Sequence, residues 1–567
     1  MPRSPFSLLR WLFYDPNGET LGHILTWGDV MNQKVAWLQN PQLVPITVGL
    51  IGHRKINDAE LDGILAQFDG ALAELLDHFR HSPIILLTSL AEGADRIALK
   101  SRYRDLISIC AVLPFPLEEY KKDFTSKDSI AEFERAIKSV DMVIEPFANF
   151  DLIKSDRDLG YRDCANWISD KSNFLMAIWN GKFNKEIGGT GDTISHRIGQ
   201  EGNDHSSSLI NKKFIHIKAS NGLEAATEDC SCKGHTPFEK MDAGEMAIFE
   251  AFNRDLLNLL DKENSDLETM EYVDKFASKA KKRYLNTSRL TLIAGLATLN
   301  LLNLTQINQS NLWFFATIAS GLITLMFWQV SIYKKFKEKF ENFRIVAEIL
   351  RIQSWWSHVG LKIKVINHPY VKTDSESWIR IFLSNLDFKK ELMAFGSMSE
   401  LKSEINQTEI KKTSMAWLDG QLEYLAGNGK RLGAIAKNNK SARKFDLVSK
   451  IFLFFTVFIF VGNQIFQPFE EASSESVLYQ IYSMLIPIFL SISAGSIGYV
   501  QLMGFKEISK RLNASHSILS EGLKELELID QSNTERIEKI VEEIGLESFG
   551  ESLFWYRLNQ SKELRPL

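Results

Sequence analysis

The chain has 567 residues, too many for one domain and enough for two to four. Its 66 basic and 71 acidic side chains leave a formal net charge of −5, which excludes a globally basic binder, so no nucleic acid is expected as a partner. Hydrophobic residues make up 45 %, yet four long apolar segments, carried on three uncharged runs, all fall in the second half and none in the first, which excludes a uniformly soluble design.

Residues 1–40 form an N-terminal segment. Phe6–Tyr14 is apolar but short and is followed by Asp15-Pro16-Asn17-Gly18, so it reads as a surface-seeking segment and not a secretory signal. Residues 41–265 are expected to form a head domain. Over 41–220, short β-branched runs alternate with helical stretches, the pattern of a parallel sheet covered by helices. Strands are predicted at Ile46–Ile51, Ile84–Thr88, Ile107–Leu113, Met142–Ile144, Leu175–Trp179 and Phe214–Ile217. Helices are predicted between them, at Ala59–Phe79, Ala94–Arg102, Ile130–Ser139 and Tyr161–Asp170. Ligands in such folds bind outside the carboxyl ends of the strands.

The unusual residues of the head follow those ends. After the first strand come Gly52, His53 and Arg54, a glycine for close backbone approach and a guanidinium that forks onto phosphate. After the second come Ser89, Glu92, Gly93 and Asp95, small and acidic residues that open the next helix with free amides. The third strand leads into Leu113-Pro114-Phe115-Pro116, a stiff turn that either shelves a base or sugar or simply rigidifies the loop. The fifth leads through Gly181 to Gly188, Gly189, Thr190 and Gly191 before another helix, a nest of amides and a hydroxyl suited to phosphate. Glu92 or Asp95 would serve as acid or base, or as a helix cap. Four cysteines (Cys110, Cys164, Cys230, Cys232) are expected as reduced thiols. Cys230 and Cys232 with His235 lack a fourth ligand at suitable spacing, so no metal is expected.

Taken together, "IGHRKI", "LLTSLAEGADRIALK", "AVLPFP" and "AIWNGK…GGTGDT" resemble the SLOG superfamily, which is similar to the DNA-processing protein, cytokinin-activating (LOG) and TRPM N-terminal domains. The resemblance covers about residues 40–220 and implies a Rossmann-like nucleotide-binding fold. It further implies a sensor of nucleotide signals in bacterial antiphage systems such as Thoeris or CBASS. The ligand would be a cyclic ADP-ribose-like or cyclic oligonucleotide messenger, supplied by a TIR or cyclase protein. LOG-type phosphoribohydrolases place a glutamate soon after the glycine loop, together with an arginine. Here the loop continues Asp192-Thr193-Ile194-Ser195-His196-Arg197 with no glutamate before Glu201, so a sensor is favoured over a hydrolase and no catalytic residue is assigned.

The second half begins with a two-helix module at 266–372. No charge occurs from Leu290 to Tyr333, enough for two crossings of ~30 Å of hydrocarbon around a turn at Asn308–Asn311. A polar helical connector is expected at 373–436, then a second module at 437–567 whose crossings lie in Ile451–Phe469 and Ser476–Phe505. Basic residues flank each crossing on one side: Lys281-Lys282-Arg283, Lys334-Lys335, Lys437–Lys444 and Lys506. The joining loops are uncharged or acidic, which places both termini in the cytoplasm. Buried helices of a soluble core would require four charge asymmetries to agree by chance. Each module resembles SLATT-type two-helix units, which have been proposed to form pores. Asn300 and Asn303 share one helix face, and Asn463 and Gln464 lie near the outer end of the third crossing. Ser491, Ala494, Gly495 and Gly498 give small-residue spacing in the fourth; these are either helix-packing or pore-lining groups.

The expected fold class is an α/β Rossmann-like head with a parallel sheet, followed by an α-helical membrane domain with four transmembrane helices. The expected function is a nucleotide-gated, membrane-depolarising effector acting as a homo-oligomer in the lipid bilayer of the bacterial cytoplasmic membrane, with no resident cofactor. The alternatives are a membrane-tethered nucleotide-processing enzyme and a regulatory membrane protein without a channel.

Overall fold

The computed structural model describes residues 43–147, 156–183, 186–198, 214–220, 243–260, 269–308, 311–359, 361, 364–367, 378–396, 407–466, 477–530 and 533–560. The N-terminal segment, Cys230, Cys232, His235 and the loop Gln467–Ser476 lie outside these residues, as do the side chains of Asn463 and Gln464. The chain opens with β1 (Ile46–Gly52), α1 (Leu61–His78), β2 (Ile84–Thr88), a 3-10 helix (Gly93–Lys100) and β3 (Ser108–Val112). It continues through α2 (Leu117–Tyr120), α3 (Lys127–Ser139), β4 (Met142–Ile144), α4 (Arg157–Lys171), β5 (Phe174–Trp179), α5 (Thr190–Ile198), β6 (Ile215–Lys218) and α6 (Ala243–Leu260). The rest is helical: α7 (Thr269–Asn308), α8 (Asn311–Tyr333), α9 (Phe336–His358), α10 (Trp378–Gly396), α11 (Gln407–Ala426), α12 (Ala434–Phe466), α13 (Val477–Met503), α14 (Phe505–Leu528) and α15 (Thr534–Gln560). Two compact units result, Met1–Ser265 with Pro369–Leu401, and Asp266–His368 with Lys402–Leu567.

The first unit is built on one six-stranded parallel sheet in the order β4-β3-β2-β1-β5-β6. Ile46, Val48, Leu50, Leu86 and Ile109 are fully buried, as expected of parallel strands covered on both faces, whose sequences run apolar without alternating. All six predicted strands are present, with ends within a residue of their expected positions. The chain steps from β1 through β2 and β3 to β4 on one side, then crosses to β5 on the other. The switch point therefore lies between β1 and β5, where a ligand crevice is expected beyond the carboxyl ends.

The predicted connector at 373–436 is divided between the units, because its first helix, α10, finds its partners on the sheet. Asn385 Nδ2 donates to Pro45 O and Asn173 Oδ1, each at 2.8 Å, and Lys389 Nζ donates to Leu43 O at 2.6 Å. Lys171 pairs with Glu391 at 2.6 Å, and Phe252 packs on Trp378 and Phe382. These contacts set α10 against the amino ends of β1 and β5.

The second unit contains four helices long and apolar enough to cross a membrane, within Met270–Ile307, Asn311–Ser357, Ala434–Gly462 and Met484–Leu528. Two hairpins, α7–α8 and α12–α13, share one plan. In the first, α8 ends at Lys335 (φ 48°, ψ 39°) before exit helix α9; in the second, α13 ends at Gly504 (φ 60°, ψ 30°) before exit helix α14. A single left-handed residue thus breaks the helix at the same place in each copy. Trp355 and Trp356, at the end of α9, are buried in the core of this unit. Trp355 stacks on Trp417 with centroids 4.0 Å apart, and Trp356 Nε1 donates to Val541 O at 3.2 Å. Gly545 leaves room for that indole, since a Cβ there would sit 2.4 Å from Trp356 Cζ2.

Candidate functional site at the strand ends

The loops after β1, β2 and β5 are tied together before any ligand enters. A Cβ on Gly52 would stand 2.4 Å from Ala94 Cβ, and one on Gly93 (φ +79°) would stand 2.3 Å from Arg54 O. These glycines serve approach of the two loops to each other, sealed by Ala94 N donating to His53 O at 3.0 Å. His53 is buried, and its Nε2 accepts from Asn180 N at 3.0 Å, which assigns its proton to Nδ1. That bond bridges β1 and β5 across the switch point.

Beside it lies a polar cluster. Arg54 is exposed, and its guanidinium lies 4.4 Å over the ring of Tyr161, the fifth residue of α4. Asp95 is buried and accepts from the Ser89 hydroxyl, while its carbonyl accepts from Thr88 Oγ1 at 2.7 Å. Burial pushes the Asp95 carboxyl up to about 6, against the pull of the Ser89 bond and the charges of Arg54 and Arg96. The Tyr120 hydroxyl is buried with no hydrogen-bond partner among the described residues. Burial first, and then the Asp95 charge, raise its pKa well above that of a free phenol. Between Ser89 and the 3-10 helix, the fully buried Leu90 adopts φ 56°, a conformation disfavoured for a side chain of its size. It is held by Thr88 Oγ1, which accepts from Leu90 N at 3.3 Å, and by Arg96 Nε, which donates to Leu90 O at 3.1 Å.

The remaining expected residues divide. Glu92 accepts from the Ser129 hydroxyl and has no bond to the helix it precedes. Pro114 and Phe115 are buried; Phe115 meets Tyr161 edge-on at 5.4 Å and carries the Arg157 guanidinium 4.3 Å over its ring. The turn is thus packed against α4 on the side of the Phe115 ring. Gly181 is left-handed (φ +84°). Gly188 (φ +75°) lies against α4, where a Cβ would meet Asp158 O at 2.7 Å and Tyr161 Cβ at 3.1 Å. Its amide donates to Asp192 Oδ2 at 2.8 Å, and Gly189 N donates to Glu186 O at 3.1 Å. The expected phosphate nest therefore holds an internal carboxylate at Gly188, while Thr190 and Gly191 form the first turn of α5.

Arg197 is buried and donates to Ser169 O, Ser172 O and Asn173 O, closing the end of α4. Burial pulls its guanidinium down to about 10. The fold thus gathers Arg54, Ser89, Asp95 and Gly188 around Tyr161 and Tyr120, while Glu92 is half-buried against Ser129 and Pro114 and Phe115 are buried. The two tyrosines carry no sequence signal, because their place comes from the packing of α2 and α4 on the sheet. Among the described residues no group of three His, Cys, Asp or Glu is placed to hold a metal. Cys110 and Cys164 are buried free thiols, and burial pushes Cys110 up to about 12.

In the second unit Asn300 Nδ2 donates to Ser491 Oγ at 2.8 Å and to Leu296 O at 2.7 Å, joining α7 to α13. Gly495 faces the same contact, since a Cβ there would sit 2.4 Å from Leu296 Cδ1. Asn303 is half-buried one turn further along α7. At Gly498 no side chain or neighbouring helix among the described residues comes within 4 Å of where its Cβ would be. Within each hairpin, hydroxyls face each other: Thr298 with Ser320 at 2.9 Å, Thr305 with Thr317 at 3.1 Å and Ser449 with Ser493 at 3.0 Å. Comparison with protein-family models, curated proteins and solved structures finds no match to this chain.

Proposed function

We propose that the chain is a membrane effector gated by a nucleotide-derived messenger bound at the strand ends of the first unit. The observation that carries this reading is Arg54, an exposed guanidinium at the switch point, backed by a buried carboxyl and an unpartnered buried phenol. A messenger phosphate takes the Arg54 fork, which moves off Tyr161, and the freed ring offers a face for stacking. The likeness to SLOG sensors supports a cyclic ADP-ribose-like or cyclic oligonucleotide ligand from a TIR or cyclase partner in bacterial defence. The four membrane-length helices support an output in the bilayer, as a leak across the cytoplasmic membrane with both termini inside. A nearly complete switch needs about 5.5 kcal/mol of differential affinity, which several heads of a homo-oligomer reach more readily than one.

Calorimetry on the detergent-solubilised chain with a panel of cyclic nucleotides tests this. One member is expected to bind, and Arg54→Ala to weaken it at least about tenfold, the loss of one charge-assisted contact. No heat from any member sinks the reading. A second reading, a nucleotide hydrolase, is favoured by the Asp95 carboxyl near 6, because perturbed acids in crevices often do chemistry. Recovering the ligand unchanged after incubation decides for the sensor; split products, lost in Asp95→Asn, decide for the enzyme.

A further inference from the structure

The loop from α11 to α12 reads Gly427-Asn428-Gly429-Lys430-Arg431-Leu432-Gly433. From Tyr424 to Phe445 there is no acidic residue, while six cations occur: Lys430, Arg431, Lys437, Lys440, Arg443 and Lys444. The loop is tightly built. Gly427 (φ +93°) and Gly429 (φ +75°) are left-handed, Gly427 bridges Leu432, and Asn428 Oδ1 accepts from Arg431 N at 3.0 Å. A Cβ on Gly433 would stand 2.3 Å from Leu425 O, so the start of α12 is held hard against the end of α11.

A cleft of about 320 Å³ opens there, walled by Glu423, Tyr424, Arg431, Leu432, Gly433 and Lys437 among others. Arg431 and Lys437 are exposed, with no carboxylate partner among the described residues. Glu423, the acid on this wall, is engaged by Asn428 Nδ2. The cleft also receives the amino end of the 33-residue α12, whose first amides and dipole favour anions. Tyr424, 61 % exposed, offers a flat apolar face beside the cations.

We infer that this cleft binds a soluble nucleoside di- or triphosphate, its phosphates on Arg431, Lys437 and the first turn of α12, its ring on Tyr424. A lipid headgroup does not satisfy the geometry. Gly433 lies eighteen residues before Ile451, where the uncharged run begins, and that length of helix spans about 27 Å. The site belongs to the second unit and does not depend on the messenger site of the first.

Lysine acylation read by mass spectrometry on the full chain in non-ionic detergent tests the inference. With millimolar ADP, acylation of Lys437 is expected to slow about threefold or more, the protection given by a ligand at twice its Kd. Inorganic pyrophosphate should protect more weakly, and the exposed Lys100 of the first unit should be unaffected. Arg431→Gln should abolish the protection, and Arg54→Ala should preserve it, which separates this site from the messenger site. Equal Lys437 rates with and without ADP overturn the inference. So does protection that needs only reconstitution into anionic vesicles, and protection by pyrophosphate equal to that by ADP overturns the role given to Tyr424.

Discussion

Asp95 fixes how the stability of the first unit should respond to pH. Its carboxyl is held at about 6 in the folded chain, whereas an unfolded aspartate titrates near about 3.9. Between those values the native state holds a proton that the unfolded state has released. Stability contributed by the neutral acid is therefore full below about 4 and is lost as pH rises through about 6. The upper limit is about 3 kcal/mol. Asp95→Asn stays neutral, so the slope should vanish. Amide exchange of β2 should be slower in the variant than in the parent at pH 7.5, and the difference should shrink toward pH 4.5. A difference independent of pH would mean that Asp95 is ionised throughout. The residue was legible as a site candidate because it follows a strand of a recognisable parallel sheet. Its neighbours Tyr120 and Tyr161 were not, since an aromatic at a helix start looks the same whether it faces a strand end or solvent. The same limit explains Phe115 and Gly188, whose surroundings are supplied by α4, a helix over forty residues away from one of them in sequence.

At the scale of elements, the four membrane-length helices were readable because hydrocarbon selects on composition alone, and no partner need be known to see an uncharged run of twenty residues. How those helices pack is a matter of particular side chains. The Asn300–Ser491 bond between α7 and α13 stands where an unpaired amide would be costly, yet such bonds are worth only about 0.6 kcal/mol on average in a bilayer. A double-mutant cycle of Asn300→Ala and Ser491→Ala, measured as reversible unfolding in mixed micelles, should return a coupling of that order. A value near zero would mean that the helices meet without this bond. The junctions at Lys335 and Gly504 show the other limit. A glycine after an apolar run reads as a helix end, whereas lysine has no preference for the left-handed region, and only the common plan of the hairpins exposes its role.

For the molecule as a whole, chain connectivity argues for coupling. The chain leaves the first unit at Ser265, forms one hairpin, returns as α10, and leaves again at Leu401 to form the other. The sequence marks α10 as polar and helical but cannot say that its side chains bond the amino ends of β1 and β5, because Asn385 and Lys389 look like solvated residues until Pro45 and Leu43 are placed beside them. The strands that α10 holds at their amino ends, β1 and β5, are those that His53 and Asn180 join at their carboxyl ends, beside Arg54. A ligand that changes the spacing of these two strands acts on α10 through seven residues of rigid sheet, about 23 Å. A variant with Asn385→Ala, Lys389→Met and Glu391→Gln loses the polar tethers of α10 to the sheet and α4 and keeps every residue of the proposed messenger site. It should bind the messenger with heat close to that of the parent, while messenger-triggered dye release from liposomes falls severalfold. Unchanged release would place the coupling in the Ser265 connection alone. Loss of binding together with release, with faster amide exchange in β1, would mean that α10 stabilises the sheet and transmits nothing.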